Sequence, residues 1–346
     1  MLQKTTKVFD VIIIGAGPSG LSCAEALGNS GLSVLILEKN NTIGPKVCAG
    51  GLTVKDIKQF NIPEELIEYR FNAPYLHVNN LHKAVKTPYN FIYTIDRHKF
   101  SQWQLSKLNA CKNILVKPNS KVTKITNQAV LVNDETIGYK YLIGCDGSNS
   151  VVKNYLGIKP ESTGTGIQYL IPTDKYRDIE FFFEPKYFSA MYAWIFPHKG
   201  YVSIGCCCNN KDLPASILRK NFEKWLSEKK IDVSNGKFEA FAMNYTYQGY
   251  QFDNVFLGGD AAGLLFDFSG EGIYQAIISG QEIARHILNK NYKSAAIENL
   301  LKTKHRHSKL LNEIMKAGNK KILYFYVGFW LSYFSQFKRK AINILT

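Results

Sequence analysis

The sequence predicts an α/β protein: a domain built on a parallel sheet, a second domain of antiparallel strands interrupting it, and helices at the C-terminal end. Three observations predict this. A strand, a glycine-rich turn, a helix and a second strand follow one another over residues 8–38. Two more short apolar strands, each running into an aspartate and glycines, return far along the chain near residues 141–147 and 255–263. The stretches between them read mostly as strands, and after Lys290 the chain reads as helix.

Residues 8–14 are apolar apart from Asp10 and mostly β-branched, the pattern of a strand buried on both faces. Gly15-Ala16-Gly17-Pro18-Ser19-Gly20 follows, then a helix-like stretch at 21–27 that Gly31 closes. A second apolar strand at 33–37 ends at Glu38, with Lys39 beside it. This is the dinucleotide fingerprint in full context. Gly15 permits the tight turn, Gly17 lets the backbone approach a pyrophosphate, and Gly20 allows close helix–strand packing. Amides at the helix start meet the phosphates, and Glu38 is placed for a ribose hydroxyl.

The later elements follow in order. An apolar strand at 91–95 leads to Arg97, and 121–125 is a strand beginning near Val122. Asp146 to Ser150 follows the strand at 141–145, and Asp260-Ala261-Ala262-Gly263 follows the strand at 255–259. Gly270-Glu271-Gly272 opens an amphipathic helix with Ile273, Ala276, Ile277, Gly280, Ile283 and Ile287 at helical spacing. Its N-terminal amides suit a ring edge that becomes anionic on reduction. Strands are expected at 179–184, 191–196 and 201–207, and a helix at 213–230 with Ile217, Phe222, Trp225 and Leu226 on one side. On a strand, Tyr192, Trp194 and Phe196 share a face. The expected division is 1–73, 96–156 and 250–290 for the nucleotide domain, 74–95 and 157–249 for the substrate domain, and 291–346 for a C-terminal helical segment.

Composition narrows the class. The 346 residues are 45% hydrophobic and 13% aromatic, enough for a large core and an apolar pocket. The net charge of +15 calls for an acidic partner. No nucleic-acid module accompanies it, so a membrane surface or an acidic protein ranks first and nucleic acid is not expected. The seven cysteines form no C-x-x-C pair, and the seven histidines show no ligand spacing, so neither disulfides nor a metal site is expected. Cys206-Cys207-Cys208 reads as strand packing. The first ten residues show no signal-peptide pattern, so a cytoplasmic setting is expected, with attachment to the inner face of a membrane as an extension of it.

The Asp-Gly and Gly-Asp segments resemble those of the flavoprotein fold shared by p-hydroxybenzoate hydroxylase and the geranylgeranyl reductases. The resemblance spans about residues 8–290 and implies a Rossmann-like FAD-binding domain. It places Asp260 on the ribityl chain, Arg97 on the FAD and the Val122 backbone at the adenine end. Gly15, Ala16, Gly17, Gly20, Glu38, Lys39, Cys48, Ala49, Gly51, Gly272 and Ile273 complete the expected cofactor site. Lys46-Val47-Cys48-Ala49-Gly50-Gly51-Leu52 and Tyr192-Ala193-Trp194-Ile195-Phe196-Pro197 resemble motifs of the geranylgeranyl reductase branch. They imply FAD-dependent reduction of double bonds in an isoprenoid lipid, with Cys48, Tyr192 and Trp194 as candidate catalytic residues. Cys48 is a candidate proton donor, with a loop-held water as the alternative; it is equally readable as a small residue in a crowded loop. Asp267 stands where this family usually has Pro, and Met191 where it often has Gly.

No second dinucleotide fingerprint appears, so the reductant is expected to dock transiently, as NAD(P)H or an acidic electron-transfer protein. Disulfide reductase chemistry is excluded, because Cys48 lacks a paired cysteine and position 53 is Thr53. An FAD-dependent hydroxylase and a membrane-docked electron carrier are the rival functions. The aromatic run at 322–337, flanked by Lys320, Lys321, Lys338, Arg339 and Lys340, is short for a membrane span. It reads either as an interfacial helix or as a buried helix completing a substrate tunnel.

Overall fold

The computed structural model describes residues 7–333. Its principal sheet has eight strands. The strand Val8–Ile14 lies at its centre, with Val34–Leu37 parallel on one side and Glu135–Gly144 parallel on the other. Val255–Leu257 and Ile114–Lys117 extend the sheet outward, also in parallel. Val11 and Ile13 pack with Val34 and Ile36 on one face; Ile12 and Ile14 pack with Leu35 and Leu37 on the other. Both faces are therefore dry over 11–14 and 34–37, which is why those stretches read as unbroken apolar runs. Each such aliphatic side chain stabilises by about 1.5–3 kcal/mol on burial.

From Val8–Ile14 the chain goes to one side of the sheet, to Val34–Leu37 and Ile114–Lys117, and later returns on the other side as Glu135–Gly144, so a crevice opens at the carboxyl ends of these strands. Gly15, Glu38, Cys145-Asp146 and Gly258-Gly259-Asp260 all follow those ends directly. The first helix is Pro18–Ala26, three residues earlier than the apolar pattern implies, because Pro18 takes an N-terminal position where its missing N–H costs nothing. It packs on Ile273–Leu288 so closely that a Cβ on Gly280 would lie 2.1 Å from the Ser19 carbonyl oxygen.

A seven-stranded sheet carries Thr163–Ile171, Tyr201–Asn209, Ala193–His198, Glu180–Phe183 and Tyr75–Val78 in neighbouring positions. Its pairs are antiparallel except Glu180–Phe183 with Tyr75–Val78. Side chains alternate: Ala193, Ile195, Cys206 and Cys208 face one core, Trp194, Phe196 and Cys207 the other. The first core is covered by the helix Ala215–Glu228 through Leu218, Phe222, Trp225 and Leu226. Ile217, expected on that side, is exposed; it lies one position off the stripe spaced 218, 222, 225 and 226. The strand Ile92–Ile95, grouped by sequence with the substrate domain, pairs instead with Gly51–Thr53 and Ile67–Phe71 in a third sheet.

Candidate active site

The turn at Gly15 is built for close approach. Gly15 has φ +101°, and a Cβ there would sit 2.4 Å from the Cys145 carbonyl oxygen. Gly17 caps the helix Pro18–Ala26 without any side-chain cap, so the positive helix end is left for an external anion. The Ala16 amide donates to Glu38 Oε2 at 2.9 Å, and Glu38 Oε1 accepts from the Asn40 amide, which fixes this carboxylate beside the turn. Lys39 is exposed, and Val122 is buried at the start of the strand Val122–Ile125.

Arg97 begins the helix Arg97–Ser106, where Asp96 accepts from the His98 and Lys99 amides. Its side chain is buried, yet Nε has no hydrogen-bond partner among the described residues. Asp146 Oδ1 and Ser148 Oγ are likewise buried and unpartnered there. Burial pushes the Asp146 carboxyl up, while the Ser150 hydroxyl and backbone amides, that of Val151 among them, hold it down. Unsatisfied buried polar atoms are costly, so each of the three has capacity for a partner that a ligand could supply.

Across the crevice, Asp260 Oδ2 meets Lys46 Nζ at 3.0 Å. Gly272 caps the helix Ile273–Leu288, again with no side-chain cap, and a Cβ on it would lie 3.4 Å from Asp260 Oδ1. The fold thus brings Asp260, Gly272 and Ile273 together beside the 46–51 loop. In that loop Cys48 Sγ accepts from the Gly50 amide at 3.4 Å. The glycines are needed against protein: a Cβ on Gly50 would lie 2.6 Å from His198 Cε1, and on Gly51 2.5 Å from Phe196 Cε2.

Tyr192 lies just before the strand Ala193–His198, but its ring, Trp194 and Phe196 form one wall on the side of the sheet that packs against the 264–272 loop. Phe181 and Phe183 extend it. Leu265 and Phe268 from the 264–272 loop, Ala49, and Phe325 and Phe329 from the helix Lys321–Leu331 close the same cluster. Tyr192 hydroxyl donates to the Ser269 carbonyl at 2.5 Å, tying the wall to that loop. Met191 is fully buried in this cluster. Burial pushes the Cys207 thiol up to about 12, so the cysteine triplet packs and stays protonated.

Four residues at or beside the site escaped the sequence reading. Burial pushes the Glu271 carboxyl up to about 8, with Asp56 adding to it and Lys55 opposing. Gln275, in the first turn of Ile273–Leu288, is buried with neither polar side-chain atom partnered among the described residues. Glu271 lies within the Gly270–Gly272 turn and Gln275 just after it, a signal present in the sequence. Lys304 donates to the Leu265 carbonyl at 2.8 Å and pairs with Asp267, whose other oxygen accepts from Ser308. His198 bonds the Ala49 carbonyl. Nothing local marks the last two.

A model of the FAD binding domain family matches residues 115–315, more than half of the chain. The chain belongs to the FAD binding domain family. The Thi4 family model also matches residues 2–140. The geranylgeranyl diphosphate reductase of Rhodobacter capsulatus is 24% identical over 80% of this chain and 74% of its own. Digeranylgeranylglycerophospholipid reductase 2 of Methanopyrus kandleri is 24% identical over 83% of this chain and 80% of its own. The crystal structure of a geranylgeranyl bacteriochlorophyll reductase-like protein of Thermoplasma acidophilum superposes with a TM-score of 0.69, at 20% identity, over 98% of this chain and 92% of that one. For an FAD binding domain protein, the uncapped helix ends and the unpartnered Arg97, Asp146 and Ser148 atoms fit a large polar cofactor.

Proposed function

We propose that this protein reduces carbon–carbon double bonds in the isoprenoid chain of a lipid. The observation that carries the reading is the aromatic wall of Tyr192, Trp194 and Phe196, facing the 264–272 loop and closed by Phe325 and Phe329. An apolar wall beside a flavin suits a long hydrocarbon and offers little to a polar substrate. The two relatives, a geranylgeranyl diphosphate reductase and a digeranylgeranylglycerophospholipid reductase, support the same reading. Nucleotide-binding segments are proposed at 1–73, 96–156 and 250–290, and the substrate domain at 74–95 and 157–249, with the strand Ile92–Ile95 of that range joining strands of the 1–73 segment.

In this reading the Gly15-Ala16-Gly17 turn and the free amides at the start of the helix Pro18–Ala26 hold the FAD pyrophosphate, with Gly15 allowing the tight turn and Gly20 the close helix–strand packing. Glu38 and Lys39 lie at the adenosine end with Val122, and Arg97 reaches the phosphates. Asp260 holds the ribityl chain, and the Gly272 and Ile273 amides meet the polar edge of the ring. Reduced FAD supplies a hydride when bound. The wall orients the alkene and excludes water. The proton donor in this reading is the Cys48 thiol or the Glu271 carboxyl, whose burial favours the protonated form at neutral pH.

The reductant is a transiently docked NAD(P)H or acidic electron-transfer protein, attracted by the basic surface. The helix Lys321–Leu331 turns Phe325 and Phe329 inward, while Leu323, Val327 and Trp330 are each more than half exposed, with Tyr324 beside them. This apolar outer face supports peripheral docking on an anionic bilayer at the inner membrane face, beside Lys316 and Lys320. Lys338, Arg339 and Lys340 lie outside the described residues. Among the described residues no helix is long and apolar enough to cross a membrane.

The test is anaerobic incubation of the reduced FAD-loaded protein with a geranylgeranyl lipid, read by mass spectrometry. Gain of one hydrogen pair per reduced bond, with matching flavin oxidation, is expected. Flavin reoxidation without lipid reduction favours an electron carrier. A hydroxylated product formed only in air favours a hydroxylase. Either result overturns the reading.

A further inference from the structure

Two successive carbonyls of the loop that carries Cys48 are held by side chains of the seven-stranded sheet. His198 Nε2 lies 2.9 Å from the Ala49 oxygen. Gln168 Nε2 donates to the Cys48 oxygen at 3.3 Å and to Glu239 Oε2 at 3.0 Å. Neither residue is on the surface: Gln168 is fully buried and His198 is 2% exposed. The imidazole stacks on Tyr201 with centroids 4.4 Å apart and planes 2° apart, so its orientation is fixed by packing.

The protons can be assigned from the partners. A backbone carbonyl only accepts, so Nε2 carries a hydrogen. Nδ1 lies 2.5 Å from Glu68 Oε2, and a bare nitrogen facing a bare carboxylate at that distance would set lone pair against lone pair. A second proton therefore lies between Nδ1 and Glu68. The pair holds the Ala49 carbonyl through a charge-assisted or doubly protonated arrangement, stronger than a neutral imidazole alone. Glu239, whose other oxygen meets Lys237 Nζ at 2.7 Å, braces Gln168 in the same way.

The second arm reaches the substrate wall. Trp194 Nε1 donates to Ser203 Oγ at 3.0 Å, and Ser203 Oγ donates to Gln168 Oε1 at 3.0 Å. One buried chain thus runs from the indole through Ser203 and Gln168 to the Cys48 carbonyl. Buried polar chains of this kind rigidify when every member is satisfied.

We propose that His198 and Gln168 are positioning residues that fix the 48–51 loop, with His198 holding the Ala49 carbonyl and Gln168 coupling the Cys48 carbonyl to Trp194. The assignment rests on the reading that this loop borders the flavin. It predicts that loosening either bond changes the exposure of Cys48 even with no lipid present.

The experiment uses the FAD-loaded full chain in a Cys111→Ser background, because Cys111 is the other partly exposed cysteine among those described. Iodoacetamide labelling of Cys48 is followed by peptide mass spectrometry. A Gln side chain places its amide nitrogen near the position of Nε2 and can still donate to Ala49; Asn is too short to do so. His198→Asn is expected to label Cys48 about tenfold faster than the parent, the change that loss of about 1.4 kcal/mol gives. His198→Gln should label within about twofold of the parent, the same scale allowing well under 1 kcal/mol. The kcat for prenyl reduction should fall in the Asn variant and recover in the Gln variant, with KM unchanged in both. If the Asn variant does not fold, Trp194→Phe opens the second arm and should speed labelling a few-fold. Equal labelling in the Asn and Gln variants, or unchanged labelling in Trp194→Phe when it stands in for the Asn variant, overturns the assignment. The labelling order needs no lipid, so absence of lipid reduction in the parent defeats the functional reading separately.

Discussion

Lys304→Met tests how the C-terminal helix is tied to the flavin loop. Lys304 and Asp267 are 6% and 8% exposed and form an ion pair, with the Leu265 carbonyl and Ser308 hydroxyl as further partners. Burial pushes the Lys304 pKa down, and Asp267 opposes that shift, so the carboxylate is what keeps the ammonium charged in place. Methionine keeps most of the aliphatic stem and removes the charge. It strands a buried carboxylate and a buried carbonyl, a loss of about 3–5 kcal/mol. For 346 residues the unfolding entropy is about 0.7 kcal/mol/K, so Tm should drop by about 4–7 °C. FAD affinity should fall as well, because Asp267 lies in the loop that leads to Gly272. Adding Asp267→Asn removes the stranded charge and should recover all but about 1–3 kcal/mol, the cost of the Leu265 carbonyl without its donor. Scanning calorimetry of parent, single and double variants, with and without added FAD, reads all of this. A single variant within 1 °C of the parent, or a double variant no better than the single, would refute the buried-pair argument.

Other outcomes follow from the same geometry. Asp260→Ala should raise the Kd for FAD by about tenfold or more through loss of a charge-assisted bond, with the melting curve of the apoprotein nearly unchanged; titration of apoprotein with FAD checks it. Trp194→Ala should cost about 3–5 kcal/mol of stability and raise KM for long prenyl chains more than for short ones; equal effects on both chain lengths would remove Trp194 from the substrate wall. Glu271 has its carboxyl pushed up to about 8 from an ordinary value near 4.5, so it stays protonated on folding while the unfolded chain ionises. Its burial therefore destabilises the fold increasingly as pH rises from about 4.5 to 8. Glu271→Gln should gain about 1–3 kcal/mol over the parent at pH 8 and nothing at pH 4, by denaturant titration at each pH. Val327→Glu with Trp330→Glu should leave Tm within a few degrees, since both side chains are exposed, and abolish co-sedimentation with anionic vesicles; retained sedimentation would discard that face as the docking surface.

The residues themselves determined the parallel sheet, the dinucleotide turn and the alternation of the substrate strands. Those signals are local: β-branched runs, glycines at turns, and a period of two along 192–196. Periodicity was less decisive for the helix Ala215–Glu228, where two adjacent aliphatics, Ile217 and Leu218, compete for one buried stripe and only packing against the sheet selects Leu218. The placement of Ile92–Ile95 also needed tertiary structure, because pairing partners 39 to 43 residues upstream leave no mark on the strand itself. The same holds for the site. Asp260, Gly272 and Glu38 stand at strand and helix ends, so sequence could name them. Lys304, His198 and Gln168 act through contacts 37, 149 and 120 residues away, and a lone buried Lys, His or Gln looks the same in sequence whatever it holds. The aromatic run after Lys320 was open to two readings because residues 322–331 carry no charged or strongly polar side chain to mark an outer face. Folding the helix Lys321–Leu331 against the substrate wall divided it, with Phe325 and Phe329 inside and Leu323, Val327 and Trp330 outside, since one side of a helix can bury only one stripe.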